Sequence, residues 1–161
     1  MLAALHASRD EVVRIVRALT SERLEEGRYE NGWSGRQILA HLASIEWTYP
    51  RLIDIAREAP LPEAQPNAAP APGELPTRTM RGGNDAYNER QVAKRAHLSA
   101  VDLLVEFERN RAATIQAVEA AEDELFARRI RSAGGRTGPL ATVFYEVAVL
   151  HVLGHARDLG A

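Results

Sequence analysis

The chain has 161 residues, enough for one domain with a sizeable core, and its net charge of −2 (20 basic against 22 acidic residues) creates no field that would favour nucleic acid or an anionic membrane. It has no cysteine, which excludes disulfides, thiolate ligands and an internal thiol nucleophile, so any metal must be held by nitrogen and oxygen. No apolar run reaches the roughly 18 residues that a membrane span needs. The start, "MLAALHASRDEVVRIV", lacks a basic leader and a secretory cleavage pattern, so a cytoplasmic protein is expected.

The periodicity is helical nearly throughout, with no alternating stretch long enough for a strand. A first helix spans about residues 2–20, with Leu5, Val12, Val13, Val16 and Leu19 at helical spacing and Arg9, Arg14 and Arg17 outside. A turn region, "EEGRYENGW", follows. The second helix starts at Ser34, which with Gln37 fits a capping box, and carries Ile38, Leu42, Ile45, Tyr49 and Leu52 toward the core. Pro50 should kink this helix, because it removes a backbone donor; the helix ends near Glu58. Residues 59–83 hold six of the eight prolines and read as an extended crossover, either a linker or a flap over a pocket.

The third helix starts near Asp85, pauses at "AHLSAVD", and resumes under a Ser99/Asp102 cap to about Ala121. Leu104, Glu108, Ala112, Ile115 and Val118 trace one side of it. The stretch "EDELFARRIRSAGGRTG" reads as loop with little regular structure. A fourth helix opens at Pro139 and runs to about Leu159. The expectation is an all-α fold: one four-helix bundle over residues 1–161 with a long Pro-rich crossover between helices 2 and 3.

The chemistry sits in "HVLGH", residues 151–155. Positions i and i+4 of a helix differ by about 40° in direction and about 6 Å along the axis, so His151 and His155 point the same way. Leu140, Phe144, Val147 and Ala148 share their face, which is therefore inward. His41, next to Leu42 and near Gln37 and Ile45, is directed at or near the core as well. Two readings of these three residues stay open. They are packed core imidazoles, each needing a polar partner, or they hold one divalent cation that satisfies all three and keeps open positions. Val152 stands where a zinc protease has its Glu, so the motif carries no built-in base.

"WSGRQILAHLASIEW", residues 33–47, resembles the W-S-x-R-x-h-L-x-H-L signature (h aliphatic) of the DinB-like superfamily of damage-inducible four-helix proteins. "LHVLGHARDL" resembles the closing H-x-x-x-H helix of that family. "NDAYNERQVAKRAHLSAVDLLVEFERNRAATIQAV" is similar to its third-helix block. The likeness covers nearly the whole chain, in the right order, and is of the YfiT-like or mycothiol-dependent maleylpyruvate isomerase N-terminal type.

What the resemblance implies is a bundle holding a divalent metal, often zinc, nickel or iron, on His41, His151 and His155. Gln37, Asn88 and Asp158 are candidates for orienting those rings or touching substrate. His6 and His97 match no ligand position, and Trp33 is expected to brace the capped helix. The resemblance further implies a small-molecule substrate, a low-molecular-weight thiol (mycothiol or bacillithiol) as co-substrate, and a homodimer. The isomerase's additional C-terminal domain has no counterpart here, so the expected activity is S-transfer to small electrophiles rather than isomerisation. The alternatives are a metal-dependent hydrolase, a non-catalytic metal- or small-ligand-binding stress protein, and an interaction bundle with core histidines only.

Overall fold

A computed structural model describes residues 1–28, 32–59, 75 and 81–161. Four long helical arms form the bundle. The first is α1 (Leu2–Ala18), followed by a short α2 (Ser21–Glu25). The second is α3 (Gly35–Glu46) with α4 (Pro50–Glu58). The third is α5 (Gly83–Lys94) with α6 (Ala100–Glu119). The fourth is α7 (Leu140–Tyr145), a π turn (Glu146–Leu150) and α8 (His151–Gly160). α3 packs on α6, α5 and α8, while α1 packs on α8 and α6. No helix among the described residues is long and apolar enough to cross a membrane.

The caps expected from sequence are in place. Ser34 Oγ accepts from Gln37 N and Gln37 Oε1 accepts from Ser34 N, so α3 starts at a fixed residue. Ser99 and Asp102 do the same for α6. Each such cap contributes on the order of 1 kcal/mol.

Pro50 does more than kink its helix. α3 ends at Glu46, residues 47–49 turn, and Pro50 becomes the first-turn residue of α4, where its missing N–H costs nothing. The break turns Tyr49 inward, 2% exposed. The crossover 59–83 lies almost wholly outside the described residues, and with it the choice between linker and flap; Ala59 and Leu75 are buried.

Three features depart from the sequence reading. The stretch after α6 is not merely loop. It forms a 3₁₀ turn (Asp123–Ala127) and a two-stranded antiparallel hairpin, β1 (Arg129–Arg131) with β2 (Thr137–Pro139), in which Ile130 pairs with Gly138. Three-residue strands are too short to show alternation, and only Ile130 of β1 is buried. Pro139 consequently ends β2 instead of opening the helix, which starts at Leu140.

The buried stripe of α6 is also rotated from the expected one. Leu104, Ile115 and Val118 face the core, but Ala112 is exposed, and Leu103, Phe107, Arg111 and Thr114 are buried. A pattern reading sends arginine to solvent, whereas Arg111 is 0% exposed because Glu46, also 0% exposed, meets it at 2.8 Å. Finally, the last arm is not a uniform α-helix: the π turn falls one residue before His151.

Candidate metal centre

His41 lies in the second turn of α3, and the cap at Ser34 sets which way it points. His151 and His155 lie one turn apart at the start of α8. The structure brings all three together: one ring nitrogen from each lies within 4.8 Å of the others. The ring centres are 5.5 Å apart for His41–His151, 5.0 Å for His41–His155 and 4.5 Å for His151–His155. The Nε2 atoms of His151 and His155 are 3.0 Å apart. His6 and His97 are exposed and take no part.

Burial governs the protonation of the cluster. Desolvation, reinforced by the neighbouring imidazoles, pushes His41 down to about 3. Burial and the proximity of His155 bring His151 to about 4. His155 is also lowered by burial, with Asp158 pulling the other way. At neutral pH all three rings are therefore uncharged, the form that offers a lone pair to a cation.

These residues fit a divalent cation. His41 Nδ1 is buried with no hydrogen-bond partner among the described residues, and such an orphan costs on the order of 1–3 kcal/mol. Nitrogens on a tetrahedral cation sit about 3.4 Å apart, given ~2.1 Å bonds, so clustered atoms within 4.8 Å need only small side-chain adjustments.

The surroundings orient the rings. The Val147 carbonyl lies beside the His151 ring, where it favours the protonated form, and His151 Nδ1 lies 3.5 Å from Tyr49 Oη. His155 Nδ1 is 3.7 Å from Asp158 Oδ2. Asp158 thus stands beside a site imidazole, although 42% of its side chain is exposed. Trp33 closes the His41 side, its ring centre 5.4 Å from that imidazole and its Nε1 donating to Glu89 at 3.1 Å.

A cavity of about 680 Å³ opens beside His41 and His151. Its walls come from α4, α5, the hairpin and the π turn. Asn88 lines it, together with Tyr87, whose hydroxyl is buried without a partner among the described residues. Gln37 does not line it; its side-chain oxygen is held in the cap. Sequence reasoning missed Arg136 and Glu146 on the wall: the first lies on an unexpected hairpin, and the second is turned by the π segment. It also missed Tyr49 as a polar neighbour, having placed it in an apolar stripe.

The sequence matches the DinB superfamily over residues 4–158. The chain belongs to that superfamily. No protein of curated function matches it. Its fold is similar to the crystal structure of the mycothiol-dependent maleylpyruvate isomerase (TM-score 0.74, 19% identity, covering 99% of this chain and 59% of that one). It is similar too to YfiT from Bacillus subtilis, described as a probable metal-dependent hydrolase with an unusual four-helix bundle topology (TM-score 0.67, 16% identity, 98% and 81% covered). The chain spans little more than half the length of the isomerase, and at these identities the likeness establishes the DinB bundle fold alone.

Proposed function

We propose that this DinB-superfamily protein is a divalent-metal-dependent enzyme that joins an intact low-molecular-weight thiol, through its sulfur, to a small electrophile, with His41, His151 and His155 holding the metal. The observation that carries the proposal is the convergence of three neutral imidazoles, two of which (His41 and His151) line a cavity large enough for a small organic substrate. The similarity to a mycothiol-dependent isomerase supports a thiol as co-substrate.

A bound divalent cation supplies Lewis acidity at open positions, where it lowers the pKa of a thiol or a water molecule. The protein's own residues do the rest. Tyr49 and the neighbouring Val147 carbonyl flank the His151 ring, and Asp158 steadies His155. Tyr49 stays a neutral hydroxyl, its pKa held well above the ordinary value by burial. Asn88 lines the cavity as a hydrogen-bonding group for substrate.

Metal-loaded protein incubated with thiols and monochlorobimane should conjugate the two faster than metal-free protein does. Absence of metal-dependent, thiol-dependent turnover would refute the transferase reading.

Hydrolysis is the second reading. It is favoured by Glu146, a carboxylate on the same cavity wall as His151, placed to accept a proton from water, and by the description of YfiT. Metal-dependent turnover of an ester or amide without any thiol would select it, and loss of that turnover in Glu146→Gln would name the base. A homodimer and a cytoplasmic location belong to the same proposal; light scattering tests the first.

A further inference from the structure

Helix α6 carries no histidine, yet its inward polar side chains touch both arms that carry the clustered histidines. Asn110 Nδ2 donates to the Ala43 carbonyl at 3.0 Å, two residues beyond His41. Thr114 Oγ1 donates to the Glu46 carbonyl at 3.2 Å. Between them, Arg111 Nη1 donates to the Ala148 carbonyl at 3.0 Å and to Ser8 Oγ at 3.2 Å, while Nη2 meets the Glu46 carboxylate at 2.8 Å. One guanidinium therefore joins α1, α3 and the last arm.

The carbonyl it grips lies in the π turn. The His151 N–H reaches back five residues to Glu146 O. That leaves the Val147 carbonyl, four residues back, outside the usual pairing with this amide, and it lies beside the His151 ring. The one-residue expansion thus does two things. It rotates α8 relative to α7, and it leaves an oxygen beside the His151 ring that favours a proton on the ring nitrogen facing it. Single π turns inside α-helices often mark functional sites.

A fully buried ion pair is a costly way to fill space, since apolar side chains of similar volume commonly serve stability as well or better. An apolar pair cannot hold a carbonyl. We propose that Arg111, charge-balanced by Glu46, is a positioning residue for the metal site: its grip on Ala148 sets the π turn and thereby the tautomer and direction of the His151 ring. Ligand orientation through such outer contacts is worth about 10–100-fold in metal affinity. The inference rests on the three-histidine reading for its metal readout, and on the metal-free protein for a second one.

The test uses the full chain and three variants. Arg111→Met/Glu46→Leu removes both charges and keeps the volume. Arg111→Lys keeps the charge but has no planar fork to span Glu46 and Ala148. Leu103→Ala, on the same helix, lowers stability without touching the polar contacts. Zinc affinity is measured by competition with a chelating dye, melting temperature by circular dichroism, and the His151 tautomer by long-range proton–nitrogen spectra of metal-free protein. We expect the double variant to stay folded with zinc affinity reduced about 10–100-fold and its single His151 tautomer lost. Arg111→Lys should fall between it and wild type, and Leu103→Ala should melt earlier with affinity and tautomer unchanged. A folded double variant with wild-type affinity and tautomer overturns the proposal, as does an Arg111→Lys protein indistinguishable from wild type should the double variant not fold. Wild type that takes up no zinc sinks the metal reading, and the tautomer comparison still decides the role of Arg111.

Discussion

The two helices that bring the histidines together reach the same point by different means. α3 is regular from its cap, and the direction of His41 follows from counting residues after Ser34. The last arm has no side-chain cap, begins where a hairpin strand ends, and changes its winding one residue before His151. Its direction is set from outside, by a buried arginine on α6. A ligand placed by local sequence and a ligand placed by tertiary contact differ in what can break them: the first fails with its cap, the second with a residue far along the chain.

Arg111→Met alone should do the most damage, because it leaves Glu46 buried without a partner. A loss of about 3–5 kcal/mol is expected in urea unfolding at pH 8. Burial already pushes Glu46 up to about 7, against the pull of Arg111 and Thr114. The stranded carboxyl can therefore neutralise itself in mild acid, and the loss should shrink at pH 5.5. Equal losses at both pH values would show that charge is not the cause.

Removing a ligand from the regular helix comes next. His41→Ala should weaken zinc binding by roughly 100-fold or more, beyond the effect of losing an orienting contact, while His6→Ala leaves it unchanged. Equilibrium dialysis reads both. Similar affinities for His41→Ala and wild type would remove α3 from the site.

The histidine cluster also makes metal-free protein acid-sensitive. His41 and His151 have folded values of about 3 and 4, below the unfolded value near 6.5, so between these limits the unfolded chain binds more protons. The stability they contribute is fully present above about pH 6.5 and is lost progressively as the pH falls toward about 3. His41→Phe should flatten this dependence in metal-free protein. An unchanged slope would mean that other groups carry it.

The smallest effects separate the arms most cleanly. Ser34→Ala should cost about 1 kcal/mol in stability by releasing the start of α3. Asp158→Asn should leave stability within about 0.5 kcal/mol, since its side chain is half exposed, and lower zinc affinity only a few-fold. A larger change in affinity for Ser34→Ala than for Asp158→Asn would indicate that the cap positions His41 more tightly than the carboxylate positions His155.

How much of this was legible in the sequence follows the same division. Ser34, Gln37, Ser99 and Asp102 act within a few residues of themselves, so their caps could be read directly. The i, i+4 spacing of His151 and His155 and the inward face of His41 were readable for the same reason. Tyr49 was readable as core but not as a neighbour of His151, because the break at Pro50 that turns it inward depends on how α4 docks. Arg111 and Glu46 lie 65 positions apart in sequence, and neither carries a local sign of burial; each looks like a surface charge until the other is in place. The hairpin that brings Arg136 to the cavity has strands too short for an alternation signal, and no residue between Glu146 and Leu150 marks the extra turn.

The proposed function stands on His41, His151 and His155 together holding one divalent cation. X-ray absorption at the zinc edge, on protein loaded with one equivalent and dialysed, addresses it most directly. Close to one zinc per chain is expected, with three imidazole nitrogens at roughly 2.0–2.1 Å, one of them lost in His41→Ala. Substoichiometric zinc after loading, or a shell of oxygen atoms without imidazole scattering, would contradict it.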